Sequence, residues 1–313
     1  MDYVTLGNTN IRVSKIAFGT LTVSPLQKNL LPEEACDILI YAIENGINFF
    51  DTAELYSSYP HLAAALAKTN KDIVVATKSY AYSKESAEQS FELARKSLNR
   101  DVIDIFLMHE QVSEHTIKGH WEAFETYLQY KKQGKIRALG ISTHHIAAVE
   151  ASLGIDEIEI ISPMLNYKGV GIVDGNLLKM EQTIEKAYNN GKGIYGMKAF
   201  GGGSLLSNAD KCLNYAFDFP YIHSFAIGMQ TIDEVKNNLY FYKNRKFELV
   251  NNGLKFTKKL HIEEHCIRCE NCVKACPQKA LSITSCGIKC DYDKCVTCGY
   301  CSAYCKEVCI KFF

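Results

Sequence analysis

Neither sign of charge prevails in this 313-residue chain: 35 Lys and Arg stand against 35 Asp and Glu. Such a chain lacks the field that draws a protein to nucleic acid or to an anionic membrane, so neither is expected as a partner. No apolar run approaches the roughly 20 residues that a membrane-crossing helix needs. The opening residues Met1-Asp-Tyr-Val-Thr5 lack the basic stretch and apolar run of a secretory leader, which points to a cytoplasmic location. No stretch rich in Pro, Gly and Ser divides the chain, so its parts are expected to pack together rather than hang on a loose tether. The composition is otherwise that of a globular protein, 47% hydrophobic and 22% charged. It is long enough for one large core and a small module.

Cysteine, by contrast, is abundant, and most of the thirteen fall into two copies of one pattern. The first run is Cys266, Cys269, Cys272 and Cys276, followed by Pro277; the second is Cys295, Cys298, Cys301 and Cys305. Both read C-x2-C-x2-C-x3-C. In a cytoplasmic chain, cysteines in such numbers point to metal rather than to disulfides. Zinc sites usually use separate pairs and leave no third cysteine at the next two-residue step. Iron–sulfur clusters need thiolates on several iron corners, and two-residue spacers let one tight loop present three of them.

Residues 263–313 resemble the bacterial two-cluster ferredoxin module. The resemblance implies two [4Fe-4S] clusters, with the fourth cysteine of each run serving the other run's cluster. Cys266, Cys269, Cys272 and Cys305 would hold one, and Cys295, Cys298, Cys301 and Cys276 the other. Lys306 stands where the second run often has proline. The segment carries seven Lys or Arg and six Asp or Glu, so it lacks the acidic surface of many free ferredoxins and suits clusters that serve their own attached domain. The oxygen sensitivity of exposed clusters points to an anaerobic host. Cys36 and Cys212 lie in helical, apolar contexts and read as small buried hydrophobes. Cys286, Cys290 and Cys309 match no closed metal site well and read as packing around the clusters, with a third metal site as the alternative.

Before this module one unit repeats, a short apolar run followed by an amphipathic helical run. The strand candidates are residues 15–19, 48–52, 73–78, 103–109, 136–142, 158–165, 193–200 and 224–228. Continuous rather than alternating apolar runs fit parallel strands covered on both faces. Helical stretches include residues 33–45, 83–98, 117–133 and 231–242. Eight units in this length predict a (β/α)8 barrel over residues 1–245. An open doubly wound sheet would carry a G-x-G-x-x-G turn after its first strand, and none follows Phe18-Gly19-Thr20. Residues 1–14 read as a hairpin with a Gly7-Asn-Thr-Asn10 turn that plugs the bottom of the barrel. Residues 246–262 read as a helical, basic connector to the α+β cluster domain.

Barrel enzymes place reactive side chains at the C-terminal ends of strands. Asp51, Lys78 and His109 end strands two, three and four, and Tyr56 follows Asp51 by five residues. Their contexts are Phe50-Asp-Thr-Ala-Glu-Leu-Tyr56, Ala76-Thr-Lys78 and Leu107-Met-His109. Together with Leu6-Gly7, Phe18-Gly-Thr20, Leu139-Gly-Ile-Ser142 and the glycines after strand seven, these stretches resemble the aldo/keto reductase family over residues 1–240. The whole chain resembles the branch of that family that bears a ferredoxin-type domain. The resemblance implies that Asp51, Tyr56, Lys78 and His109 form a catalytic tetrad. Hydride addition to a carbonyl leaves negative charge on oxygen, and a proton donor must meet it. Tyr56 is the expected donor, Lys78 the cation that lowers its pKa, Asp51 the partner of Lys78, and His109 the group that orients the carbonyl.

The expected cofactor is NAD(P)H. Gly201, Gly202 and Gly203 follow strand seven and expose backbone N–H groups, and Lys198 adds charge for a phosphate. Gly19 and Thr20 at the first strand end would border the same groove. The resemblance implies that Ser142 and Ser162 lie at the nicotinamide and Asn238 at the adenine. The family's cationic positions for a 2′-phosphate fall on Gly228 and Glu234, which leans the reading toward NADH. Hydride carries two electrons and a cluster accepts one, so FMN on the glycine loop is the alternative cofactor. The expected partners are a small carbonyl or alcohol substrate and an electron-transfer protein. A non-enzymatic iron–sulfur carrier or redox sensor is the remaining alternative, and the complete tetrad argues against it.

Overall fold

The computed structural model describes residues 1–247, 260–276, 279–292, 294–295 and 300–312. Cys298, Pro277 and connector residues 248–259 lie outside the described residues.

Eight parallel strands close a barrel. A hairpin of β1 (Tyr3–Thr5) and β2 (Arg12–Ser14) precedes them. The barrel strands are β3 (Ile16–Gly19), β4 (Phe49–Asp51), β5 (Val74–Ser79), β6 (Ile103–Met108), β7 (Ile136–Thr143), β8 (Ile160–Pro163), β9 (Gly193–Met197) and β10 (Ser224–Gly228). They follow one another in chain order, and β10 closes on β3 through Gly228 beside Gly19. Each of the eight runs expected as a strand overlaps one of them, β5 and β7 ending one residue later than expected.

Alternate residues of each strand enter two separate cores, as the period of two requires. Ala17, Phe49, Val74, Ala76, Ile105, Leu107, Ala138, Ile160 and Tyr195 fill the interior. Phe18, Phe50, Val75, Phe106, Leu139 and Ile161 point outward under the helices. A strand buried on both faces therefore reads as an unbroken apolar run. Leu6, Ile11 and Val13 of the hairpin join the interior cluster, so the hairpin does close the barrel's lower end. Gly7 (φ +50°) makes this possible: a Cβ there would stand 2.3 Å from the Gly191 carbonyl oxygen.

The helices begin where the local chemistry favours it. In Pro32–Glu44 a proline occupies the first turn, and the Glu34 carboxylate accepts the Leu31 N–H at 2.9 Å. Ser83 accepts the Ser86 N–H and caps Lys84–Leu98. The stretch expected as one helix over 117–133 is two, Glu114–Gly119 and Trp121–Lys132. The break falls at His120, whose ψ of 10° leaves the helical range.

The second unit is a small α+β domain. Strands β11 (Leu260–Ile262) and β14 (Ile310–Phe312) pair antiparallel, as do β12 (Leu281–Thr284) and β13 (Gly287–Cys290). Helices Asn271–Ala275 and Tyr300–Ala303 complete it. Its core is Leu260, Cys272, Leu281, Cys301 and Ile310. The helical reading of 246–262 fails at its end, because residues 260–262 pair with β14 as a strand. Val308 packs against both Gly171 and Gly202 of the barrel loops, which brings the two units together at the barrel mouth. Among the described residues no helix is long and apolar enough to cross a membrane.

Candidate active site and cluster cysteines

Strand register brings the four ionisable residues to one end of the barrel. Gly19 lies beside Asp51, Asp51 beside Ala76, and Lys78 beside Leu107. Lys78 is 1% exposed and Asp51 6%, so neither charge can rely on water. Lys78 Nζ stands 2.7 Å from Asp51 Oδ1 and 2.8 Å from Oδ2, and donates to the Thr52 carbonyl at 2.8 Å. The Tyr195 hydroxyl donates to Asp51 Oδ1 at 2.9 Å. The buried carboxylate is thus matched by one cation and one neutral donor.

Tyr56 follows β4 in the turn Glu54–Tyr56, which ends at Ser57 in the left-handed region. Lys78 Nζ lies 5.0 Å from the centre of the Tyr56 ring, within cation–π range. The Tyr56 and His109 rings meet edge to face at 5.8 Å. Burial raises the Tyr56 pKa well above its ordinary value, and Asp51 and Glu110 raise it further. The expected lowering by Lys78 is not found. Asp51 neutralises the Lys78 charge at close range, so little net positive field reaches the phenol, which keeps its proton.

His109 follows β6, and its N–H donates to the Ser79 carbonyl at 2.9 Å. Tyr80 stacks on its ring at 4.5 Å. The Tyr80 hydroxyl is held by Glu110 Oε2 at 2.5 Å. Burial drives the His109 pKa well below the usual histidine range, aided by Lys78 and Lys198. The ring is neutral at pH 7. Its Nδ1 is buried without a hydrogen-bond partner among the described residues.

Asp51 and Tyr56 open onto a cavity of about 160 Å³. Gly19, Lys198, Gly202, Gly203 and Gly228 line the same space. Gly201 is not part of that lining; its N–H donates to the Lys198 carbonyl at 2.8 Å. The other positions named from the sequence lie outside this cavity. Thr20 Oγ1 donates to the Asp51 carbonyl at 3.0 Å. Ser142 Oγ accepts the Glu110 N–H at 2.9 Å. Ser162 is buried beside the Tyr195 hydroxyl. Asn238 Nδ2 donates to the Glu234 carbonyl of its own helix at 2.9 Å. Glu234 lines the cavity, with Oε2 accepting the Gln230 N–H at 2.8 Å.

Sequence reasoning missed two residues here. Tyr195 sits in an apolar strand, and its hydroxyl was the one available hint. Lys311 of β14 lines the cavity from the second domain; no local pattern marks it.

In the second domain Cys266, Cys269, Cys272, Cys305 and Cys309 line a single cavity. Thiols from both runs converge there, a donor set that fits an iron–sulfur cluster. Cys276 and Cys295 both act on Cys290, raising its pKa after burial does so, and Cys301 is buried in the same core. The Ala280 N–H donates to Cys276 Sγ at 3.3 Å, and the Cys309 N–H to Cys305 Sγ at 3.2 Å. Each donor lies four residues beyond its cysteine, so the two halves repeat one motif. Cys290 and Cys309 pack beside the two thiol sets; Cys286 is instead exposed in the turn between β12 and β13. Cys36 and Cys212 are buried in the barrel domain.

The sequence model of the Aldo/keto reductase family matches residues 15–244, and that of the 4Fe-4S binding domain matches residues 260–282. An uncharacterised oxidoreductase of Bacillus subtilis is 26% identical over 75% of this chain and 89% of its own. L-galactose dehydrogenase of Arabidopsis thaliana is 25% identical over 75% of this chain and 86% of its own. Among solved structures, an aldo-keto reductase of Pseudomonas aeruginosa superposes with a TM-score of 0.66 at 24% identity. It covers 78% of this chain and 95% of its own. A Bombyx mori aldo-keto reductase, solved in complex with NADP, has a TM-score of 0.60 at 15% identity, covering 76% and 86%. These two structural likenesses concern the fold.

Proposed function

This chain belongs to the aldo/keto reductase family and carries a 4Fe-4S binding domain; from that premise we propose that its barrel reduces a small carbonyl compound, or runs the reverse, with a nicotinamide dinucleotide. The observation that carries this reading is the shared cavity, in which Tyr56 and Asp51 meet the glycines and Lys198. When bound, the nicotinamide supplies hydride and the clusters supply single-electron transfer.

The chain's own residues do the rest. Tyr56 holds a proton throughout the neutral range and gives it to the oxygen that gains charge. His109, neutral, offers a hydrogen bond to that oxygen without competing for the proton. Lys78 and Asp51 fix the floor beneath Tyr56. Gly19, Gly202, Gly203 and Gly228 let a phosphate-bearing chain approach the backbone closely. Glu234 would repel a 2′-phosphate, which favours NADH over NADPH. Cys266, Cys269, Cys272 and Cys305 would hold one cluster, and Cys276, Cys295, Cys298 and Cys301 a second.

The test is anaerobic oxidation of NADH and of NADPH by the purified protein against a panel of aldehydes and ketones. The expected result is turnover with NADH ahead of NADPH, one alcohol formed per nicotinamide oxidised. Consumption of neither nicotinamide with any carbonyl rules the reading out. A second reading, single-electron reduction through bound FMN, is favoured by one feature. Cys309 borders the first thiol cavity, and Lys311, two residues on, lines the barrel cavity. Heat-released flavin in the purified protein would select it.

A further inference from the structure

We propose that Lys198 of the barrel and Lys311 of the cluster domain form one anion site, which takes a phosphate or pyrophosphate group and thereby joins the two domains. The inference deepens the reading above: it relies on that reading for the source of the phosphate, but not for the site's chemistry.

Lys198 follows β9 directly and lies in the left-handed region at φ 61°, a conformation that non-glycine residues rarely adopt. Lys311 is the middle residue of β14, opposite His261, and is 8% exposed. Strand β14 packs on the turn Gly201–Gly203. Both lysines line the cavity that Tyr56 borders. Among the described residues, neither ammonium has a carboxylate within ion-pair distance.

Two cations that share a pocket without a counter-ion repel each other and lose hydration. Burial first and the Lys311 charge second lower the Lys198 pKa to about 7, against the opposing pull of Glu110 and Glu263, so a bound anion would restore its full charge. Asp51 is paired with Lys78, Glu110 accepts from Tyr80, Glu234 from the Gln230 N–H, and Glu263 lies 3.6 Å from His261, so none of these carboxylates bonds either ammonium. A dianion supplies the missing charge, and Gly202 and Gly203 let it reach the backbone. Because the second lysine comes from the other domain, filling the pocket also fastens β14 to the barrel.

The experiment is calorimetric titration of the anaerobic full-length protein with inorganic pyrophosphate, alone and against NADH or glyoxylate. Wild type should bind pyrophosphate. Lys311→Met and Lys198→Met should each weaken binding at least about tenfold, and Lys311→Arg should retain most of it. Lys306→Met, which removes an equal charge from the same domain, should bind as wild type does. Iron content and circular dichroism check that each variant is folded and loaded. Hydrogen exchange of residues 310–312 should slow when pyrophosphate is added. Displacement of NADH makes the cofactor the source of the phosphate; displacement of glyoxylate without NADH shows a carboxylate site and overturns the phosphate assignment. Wild type that ignores pyrophosphate, or Lys311→Met that binds it normally, overturns the proposal. Tyr56→Phe should still bind pyrophosphate, so loss of the carbonyl-reductase reading would leave this site standing.

Discussion

Lys78 and Asp51 are bonded through both carboxylate oxygens at 2.7 and 2.8 Å, with almost no contact with water. Removing one member leaves a buried charge without its partner. Asp51→Asn is expected to destabilise the barrel by about 3–5 kcal/mol, measured by denaturant unfolding. Adding Lys78→Met should recover much of the loss, because no stranded ammonium then remains.

Tyr56 is the proton donor in this account, and a phenyl ring in its place keeps the packing and loses the hydroxyl. Tyr56→Phe should lower turnover by about 10²–10⁴-fold in steady-state kinetics. Iron and sulfide content should match wild type, because the cysteines are elsewhere.

In the proposed reading, cluster ligation crosses between the two cysteine runs. Cys266→Ser and Cys305→Ser should therefore abolish the same electron paramagnetic resonance signal and spare the other. Cys276→Ser should do the reverse. Cys309→Ser should retain iron at the wild-type level, because the proposed ligation leaves Cys309 out although it lines the same cavity.

His223 sets a pH limit on stability. Its Nδ1 faces the Ile194 N–H at 3.0 Å and its Nε2 the Gly7 N–H at 3.1 Å. Burial lowers its pKa to about 4, and the Lys15 charge adds to this. Between about pH 6.5 and pH 4 the unfolded chain binds the extra proton and the folded chain does not. Stability from this residue is whole above that window and falls as the pH drops through it, by up to roughly 3 kcal/mol. His223→Gln should flatten that part of the stability–pH curve, as read by circular dichroism.

The barrel was legible because parallel strands covered on both faces cannot alternate: Phe49 and Phe50 enter different cores, yet both must be apolar. Asp51, Lys78 and His109 were legible because each ends such a run. The hairpin was legible from the turn at Gly7. Contacts made across the fold were not. Tyr195 reaches Asp51 over a separation of 144 residues, and Lys311 reaches the barrel cavity from another domain. Neither position has a periodicity or motif of its own. The ends of helices misled as well: residues 260–262 are basic-flanked and read as helix, but their pairing with β14 decides their shape.

The most direct measurement follows deuterium from 4-deuterated NADH to the product alcohol, under anaerobic conditions in ordinary water. Hydride delivery at the Tyr56 cavity predicts that deuterium is retained at the carbinol carbon, in a reaction that Tyr56→Phe stops. Product that carries no deuterium with either face of the nicotinamide labelled, formed equally well by Tyr56→Phe, would contradict it.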